Sequence, residues 1–253
     1  MDELDRWKGK IALVTGASSG IGDAIARALI KFGMKTAVCA RRKDRLDALA
    51  KDMAGEAGEV LVLQADMEKE SDIKGLFPAI RKKWGQPLDV LVNNAGTGVR
   101  KALAAGDTKG WAEMLNINVL AVAIATREAL QEMKGKGEGQ IINIGSMYGY
   151  QDRIPMAGMY TATKNAVRAM TNTLRTELQG ERTKIRIGEI SPGLVATEMR
   201  PKMTNGEFTY ESYFEQFHPL LPKDVANAVL YMLSTPPYAE VHDILIGPMY
   251  QAL

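Results

Sequence analysis

Tyr160 and Lys164 are the residues of this sequence whose types and spacing most directly suggest proton chemistry. Side chains four positions apart share one face of a helix. A tyrosine hydroxyl titrates near ~10 in water, and a neighbouring ammonium group stabilises the tyrosinate and lowers that pKa. Tyr160 could therefore act as a proton donor near neutral pH, although a Tyr and a Lys at this spacing are more often a plain surface pair.

A glycine-rich stretch, Thr15–Gly22, lies between the apolar run Ile11–Val14 and a segment with helical spacing, Ile21–Phe32. Glycines let the backbone turn tightly and approach a phosphate, and the first turn of a helix offers free N–H groups. The stretch predicts a nucleotide site, with an ordinary strand-to-helix turn as the alternative. The expected contacts are Gly16, Ser18, Ser19, Gly20, Ile21 and Gly22.

The next strand-like run ends in Arg41 and Arg42. A dinucleotide fold that prefers NAD carries an acidic residue near this position, about 20 residues past the glycines. A guanidinium group instead binds a phosphate through two parallel hydrogen bonds. The two arginines therefore predict NADP(H) as the cofactor, unless they simply begin a solvated helix. Cys39, on the same run, is interpreted as a buried side chain and not a reactive thiol.

These motifs need a scaffold, and short Val/Ile/Leu runs alternate with amphipathic stretches along the chain. Such an order is typical of βαβ units around a parallel sheet that is covered on both faces. We expect strands at Ile11–Val14, Thr36–Ala40, Glu59–Gln64, Val90–Val92, Ile141–Ile144, Ile185–Ile190 and Val241–Ile246, and helices at Ile21–Phe32, Asp44–Met53, Glu70–Trp84, Lys109–Met133, Ala157–Gln179 and Lys223–Leu233. The predicted fold is α/β: one Rossmann-type domain over residues 1–253, doubly wound, with about seven strands.

Composition excludes several classes of protein. The 253 residues carry a net charge of +2, with 32 basic and 30 acidic residues, which argues against a nucleic-acid binder. The single cysteine rules out an internal disulfide and suits a reducing compartment. No apolar signal-peptide core or membrane span is seen, so we expect a cytoplasmic protein. His218 and His242 indicate no metal cluster.

With further motifs included, the chain resembles the short-chain dehydrogenase/reductase family over almost its whole length. The motifs, in family order, are the glycine loop, Asp66, Asn93-Asn94-Ala95-Gly96, Asn116-Ile117-Asn118-Val119, Ser146, Tyr160-x-x-x-Lys164 and Ser191-Pro192-Gly193 with Thr197. Within the family the sequence is most similar to NADP-dependent reductases that include farnesol dehydrogenases. The resemblance adds cofactor contacts at Asp66, Met67, Asn93, Ala95, Gly96, Tyr160, Lys164, Pro192, Gly193, Val195 and Thr197.

The resemblance also implies roles. Tyr160 would be the general acid/base, Ser146 would hold the substrate oxygen, and Lys164 would tune the tyrosine. The backbone carbonyl of Asn118 would hold a water molecule in a proton relay. The expected activity is NADP(H)-dependent interconversion of a carbonyl and an alcohol. The alternatives are a non-catalytic NADP-binding sensor or scaffold, and an isomerase or dehydratase on the same fold.

The substrate is expected to be bulky and apolar: a terpenoid, steroid, fatty or aryl carbonyl. Its contacts would be Ser146, Tyr148, Tyr160, Leu194 and Met199, and its wider pocket Tyr150, Met156, Met159 and the segment 198–222. That segment follows a strand end and contains Phe208, Tyr210, Tyr213, Phe214 and Phe217, well above the 6% aromatic content of the chain. Methionine and aromatic walls adapt to apolar ligands, although the same residues could pack a core or a dimer face.

Two features depart from the family pattern. Ser146 and Tyr160 are 14 positions apart, one more than is usual in the family, so the intervening loop is altered. The chain end, Ile246–Tyr250, lacks the Asp-Gly-Gly common in tetrameric members. A homodimer or homotetramer is expected, with the helices at Lys109–Met133 and Ala157–Gln179 as its faces.

Overall fold

The computed structural model describes residues 3–151, 154–204 and 218–251. Its centre is one sheet of seven parallel strands in the order β3-β2-β1-β4-β5-β6-β7. The strands are β1 Ile11–Thr15, β2 Lys35–Ala40, β3 Glu59–Gln64, β4 Val90–Asn93, β5 Glu138–Ile144, β6 Lys184–Pro192 and β7 Asp243–Ile246. The prediction of a doubly wound parallel sheet is confirmed.

Helices cover both faces of the sheet. They are α1 Gly20–Phe32, α2 Lys43–Asp52, α3 Glu70–Trp84, α4 Thr108–Leu115, α5 Ala121–Lys134, α6 Gly158–Gly180, α7 Met199–Met203 and α8 Pro222–Ser234. Short 3-10 turns lie at Glu3–Trp7, Leu103–Ala105 and Met147–Tyr150. The long helix expected at Lys109–Met133 is α4 and α5 joined by a π-helical segment, Asn116–Leu120.

The strands read as continuous apolar runs because their side chains point alternately into two cores. On one face Val14 packs with residues of α1 and α8, such as Ile25 and Val225. On the other face Leu13, the neighbour of Val14, packs with residues of α3 and α5, such as Phe77 and Ala125. All six are buried, so each strand is held from both sides.

The order of the strands creates a crevice. β1 lies between β2 and β4, so the chain reverses its direction of winding at the β1–β4 pair. Open α/β sheets bind ligands outside the carboxyl ends of the strands at such a point. The glycine loop follows β1 and Asn94 follows β4, while Ser146 and Gly193 follow β5 and β6. The motifs therefore meet at one edge of the sheet.

Two smaller observations complete the fold. Cys39 is fully buried in β2, and this burial raises the pKa of its thiol to about 12, as suits a packed side chain. In the ranges that the structure describes, no helix has both the length and the apolar content that crossing a membrane requires.

Candidate active site

A cleft of about 470 Å³ opens at this edge of the sheet. It brings together most of the residues singled out in the sequence. Those lining it are Gly16, Ser18, Ser19, Gly20, Ile21, Arg41, Arg42, Asp66, Met67, Ala95, Gly96, Ser146, Tyr148, Tyr160, Lys164, Pro192, Gly193, Leu194, Val195, Thr197 and Met199. Gly22, Asn93 and Asn118 lie outside the lining.

The glycine loop is packed too tightly for side chains. Gly16 has φ +68°, and a Cβ there would lie 2.8 Å from Cα of Ala95. Gly20 has φ +59°, and a Cβ there would lie 3.0 Å from Cγ2 of Thr197. Positive φ favours glycine, so the loop keeps its backbone open to the cleft at the start of α1. This cradle fits the pyrophosphate of a dinucleotide.

Gly22 serves the cradle indirectly. A Cβ at this position would overlap the carbonyl oxygen of Gly16 and the side-chain amide of Asn94. Gly22 therefore lets α1 pack closely behind the loop. Gly22, expected at the cofactor, thus faces the loop and does not line the cleft.

Asn93 and Asn94 have different roles because neighbouring residues of a strand point in opposite directions. The Asn94 amide Nδ2 donates to the carbonyl oxygen of Thr15 at 2.8 Å and ties β4 to the glycine loop. The side chain of Asn93 is buried instead and donates to Asn143 Oδ1 at 2.9 Å and to Thr126 Oγ1 at 3.0 Å. Asn93, expected at the cofactor, thus points into the fold, and Asn94 lines the cleft.

The arginine pair lies beside the glycine loop. Arg42 Nη2 donates to Ser18 Oγ at 2.9 Å and to Ser19 Oγ at 2.7 Å. Its Nη1 donates to Glu198 Oε2 at 3.0 Å. The guanidinium group of Arg41 has no hydrogen-bond or ion-pair partner among the described residues, so it is the cation available to an incoming phosphate.

Tyr160, Ser146 and Lys164 converge at the other end of the cleft and are each more than 90% buried. Burial raises the pKa of Tyr160 to about 12, against a hydrogen bond with Ser146 that lowers it. Lys164 Nζ donates to the carbonyl oxygen of Ile144 at 2.9 Å and lies 5.8 Å from the centre of the Tyr160 ring. Burial lowers the pKa of Lys164 to about 8, while the charge of Glu189 raises it.

These values bear on one expectation. We expected the ammonium group of Lys164 to bring the pKa of Tyr160 below its ordinary value. In the protein alone, removal of water from the hydroxyl outweighs the stabilising contacts, and the tyrosine is held in its protonated form. Lys164 Nζ donates to a backbone carbonyl and lies beside the tyrosine ring.

Asn118 lies in the π-helical segment and is 1% exposed. Its Nδ2 donates to the carbonyl oxygen of Thr97 at 2.8 Å and to Thr163 Oγ1 at 3.1 Å. Its Oδ1 accepts from the backbone N–H of Thr97 at 2.8 Å. All the polar atoms of this side chain are thus committed to fixing the loop after β4 against α6. Any part that Asn118 plays in proton transfer falls to its backbone.

Part of the expected substrate pocket is in place. Tyr148 lines the cleft, with its ring edge-to-face at 5.9 Å from the ring of Tyr160. Leu194 and Met199 line it as well, and Met203, within the expected segment 198–222, joins them. The aromatic residues at 208, 210, 213, 214 and 217 lie outside the described residues.

Three other pocket residues lie elsewhere. Tyr150 is covered by the guanidinium group of Arg168, 3.9 Å from its ring centre, and does not line the cleft. Met156 is 42% exposed, and Met159 packs behind the cleft in a cluster with Tyr160. In the described part of the loop after Ser146, which is one residue longer than usual, Met147 and Tyr148 line the cleft.

Sequence reasoning missed a buried carboxylate. Glu189 is fully buried in β6, where its Oε1 accepts from Ser191 Oγ at 2.7 Å and its Oε2 has no partner. A Cβ on Gly145 would overlap Oε1, so the carboxylate lies against the backbone that carries Ser146. A single acidic residue within the apolar run Ile185–Ile190 was the available signal.

Gln251, a second residue that sequence reasoning missed, borders the cleft. The side-chain oxygen of Gln251 accepts from the backbone N–H of Leu194 at 2.8 Å, and Gln251 lines the cleft. A Cβ on Gly193 would meet Met147 Sδ and that same oxygen. The segment after β7 therefore helps to shape the catalytic end, a contact across 57 residues that no local pattern indicates.

Comparison with known proteins agrees with this geometry. A family model described as short chain dehydrogenase matches residues 10–207. Dehydrogenase/reductase SDR family member 11 of Gallus gallus is 44% identical over 255 residues, covering 98% of this chain and 99% of that protein. Farnesol dehydrogenase of Aedes aegypti is 40% identical over 252 residues, covering 97% of this chain and 98% of that protein.

A solved structure shows the same architecture. The closed form of a serine dehydrogenase complexed with NADP⁺ superposes with a TM-score of 0.88 at 31% identity, covering 96% of each chain. The resemblance inferred from the motifs is confirmed. The chain belongs to the short-chain dehydrogenase family of oxidoreductases.

Proposed function

We propose that this chain is an NADP(H)-dependent oxidoreductase that interconverts a carbonyl and an alcohol, with Tyr160 as its general acid/base. One observation carries the proposal. Buried Ser146, Tyr160 and Lys164 converge in the same cleft that holds the glycine cradle and the arginine pair at its other end. A cofactor bound at one end and a substrate at the other would thus share a single cavity.

The cleft suits NADP(H) in particular. The cradle formed by Gly16 and Gly20 would hold the pyrophosphate, and Arg41 with Arg42 would take the 2′-phosphate of the ribose. Asp66 and Met67 line the side where the adenine would lie. When bound, NADPH supplies a hydride to the carbonyl carbon, and NADP⁺ accepts one in the reverse direction. The complex of the related serine dehydrogenase with NADP⁺ supports this choice.

The side chains of this protein handle the proton. Ser146 would donate a hydrogen bond to the substrate oxygen, where negative charge develops as the hydride arrives. Tyr160 would then give its proton to that oxygen, and in oxidation it would take the proton back. Its raised pKa keeps the hydroxyl protonated at neutral pH, which suits a proton donor. Lys164, charged below about pH 8, stabilises the tyrosinate that remains.

The pocket favours an apolar substrate. Tyr148, Leu194, Met199 and Met203 surround the catalytic end of the cleft with aromatic, aliphatic and thioether groups. Methionine side chains adapt to irregular apolar shapes. A bulky terpenoid, steroid, fatty or aryl carbonyl therefore fits best, and the similarity to a farnesol dehydrogenase supports the terpenoid class.

The test is catalytic and has a binding control. Purified protein is assayed by nicotinamide absorbance with NADPH and a panel of carbonyls, and with NADP⁺ and the matching alcohols. Tyr160→Phe should lose at least ~10²-fold of turnover, the lower range for general acid–base catalysis, and should still bind NADPH. Tyr231→Phe, on an exposed part of α8, is the matched control. Near-normal turnover by Tyr160→Phe would contradict the proposal.

Two rival functions predict other results. A non-catalytic sensor or scaffold would bind NADPH and consume none with any carbonyl. An isomerase or dehydratase would convert substrate with no net change in nicotinamide absorbance. The presence of Tyr160, Lys164 and Ser146 together in one buried group favours the reductase over the sensor.

A further inference from the structure

We propose that Glu198 sets cofactor selectivity: its carboxylate holds Arg42 and Arg45, and Arg42 must exchange it for the 2′-phosphate of NADP(H). The exchange links cofactor binding to the first residues of the substrate-side segment. This inference rests on the proposed function, because it assumes that the arginine pair receives that phosphate.

The carboxylate lies within a group of three cations. Glu198 Oε2 accepts from Arg42 Nη1 at 3.0 Å, and Oε1 accepts from Arg45 Nη1 at 2.5 Å. Lys202, one turn along α7, lies 3.4 Å from Oε2. The two arginines hold the pKa of Glu198 down at about 2, so the carboxylate is charged at every pH of interest. Arg42 and Arg45 thus already share one anion.

Arg42 has little capacity left for a second anion. Its Nε and Nη2 donate to Ser18 Oγ, and Nη2 also donates to Ser19 Oγ. Its Nη1 is taken by Glu198. A phosphate that binds a guanidinium group needs two parallel donors on one edge. Release of the carboxylate would free Nη1 for such a contact, and two anions on one guanidinium group would also repel each other.

The exchange is feasible because the group is near the solvent. The side chains of Arg42, Arg45 and Glu198 are 36%, 42% and 41% exposed. Exposed ion pairs contribute little net stability, about 0–1 kcal/mol each. A dianionic phosphate can therefore displace the carboxylate. The displacement lowers the affinity for a cofactor that carries a 2′-phosphate and leaves the affinity for NAD(H) unchanged.

The position of Glu198 links cofactor binding to the substrate side of the cleft. It directly precedes α7, and its neighbour Thr197 packs against Gly20 of the glycine loop. Met199 and Met203 of α7 line the catalytic end of the cleft, and Met203 packs beside Tyr160. Loss of the Arg42 contact thus leaves Arg45 as the arginine that holds the start of α7 on the cofactor side of the cleft. We expect NADPH, and not NADH, to change the environment of residues 198–204.

The experiment compares full-length wild type with Glu198→Gln. Dissociation constants for NADPH and NADH are measured by calorimetry, and 2′,5′-ADP against 5′-AMP isolates the 2′-phosphate. Glu198→Gln should bind NADPH and 2′,5′-ADP about three- to tenfold more tightly, the effect of relieving one or two exposed ion pairs. Binding of NADH and 5′-AMP should stay within twofold. Glu181→Gln, a half-exposed surface carboxylate away from the cleft, controls for net charge.

A second readout does not depend on affinity. Hydrogen exchange of residues 198–204 should increase when wild type binds NADPH, and should not when it binds NADH. In Glu198→Gln the two cofactors should give the same exchange. This measurement also keeps the idea testable if the variant is less stable.

Several outcomes would overturn the inference. Weaker NADPH binding by Glu198→Gln would make Glu198 a residue that orients the arginines. Equal changes for NADPH and NADH, or none, would remove it from selectivity altogether. If wild type itself prefers NADH, the cofactor assignment of the proposed function fails. If wild type prefers NADPH and the ratio is unchanged in the variant, only the role of Glu198 fails.

Discussion

Glu189→Gln gives the sharpest test of how the catalytic end of the cleft controls its charge. The substitution keeps the shape of the side chain and removes a buried negative charge that raises the pKa of Lys164. The charged and titratable groups acting on Glu189 are Lys164 and Arg168 from α6 and Asp243 from β7. Of these groups, Lys164 is the buried cation in the cleft, so its pKa should change most.

The size of the effect follows from the environment of Lys164. With a pKa of about 8, its ammonium group is about 90% charged at pH 7. We take the interaction between the two charges as about one pKa unit, or ~1.4 kcal/mol. Loss of the Glu189 charge should lower the pKa of Lys164 towards ~7. A lysine is charged below its pKa, so the variant loses that charge at lower pH.

The assay is a pH profile of kcat for carbonyl reduction. Below about pH 6, Glu189→Gln should approach wild-type turnover, because Lys164 is charged in both proteins. Near pH 8 it should fall about fivefold below wild type, with its alkaline limb displaced by about one pH unit. Glu189→Asp, which keeps the charge, should restore part of the shift. A uniform drop in kcat at every pH, with the limb in place, would refute the electrostatic reasoning and leave a packing role.

The remaining predictions concern the cofactor end and the surface. Arg41→Ala should weaken NADPH binding by at least about tenfold, the effect of losing one charge-assisted hydrogen bond, and should leave NADH binding nearly unchanged. Equal losses of binding in calorimetry would exclude a 2′-phosphate role. The apolar groove between α5 and α6, lined by Leu130, Met170 and Leu174 among others, is the face expected to form a dimer. Leu174→Glu should therefore yield monomers in light scattering, and an unchanged mass would place the interface elsewhere.

The layout of the fold could be predicted from the sequence because its physical signals are local. Runs such as Ile11–Val14 are apolar at every position, which only a strand buried on both faces requires. The glycine loop was readable because Gly16 and Gly20 adopt positive φ that other residues avoid. Tyr160 and Lys164 lie together because helical spacing alone aligns them.

The errors came from features without a local signature. Asn93 and Asn94 are adjacent in the chain, and the alternation of side chains along β4 decides which of them faces the cleft. The sequence did not settle that alternation at the end of the strand. The π-helical segment at Asn116–Leu120 interrupts a stretch predicted as one helix, and its residues do not specify the wider turn. Glu198 meets Arg42 across 156 positions, and such a pairing becomes visible only in three dimensions.

The two missed carboxylates hold their cations in opposite ways, and the difference matches what each end of the cleft must do. Glu198 contacts its arginines directly and near the solvent, where an ion pair is worth about 0–1 kcal/mol and is easily exchanged. Glu189 is fully buried in β6, accepts a hydrogen bond from Ser191, and acts on Lys164 without an ion pair among the described residues. A cofactor phosphate has to enter and leave, so an exchangeable anion suits that end. A lysine that must stay charged while a proton moves beside it needs a negative charge that does not leave.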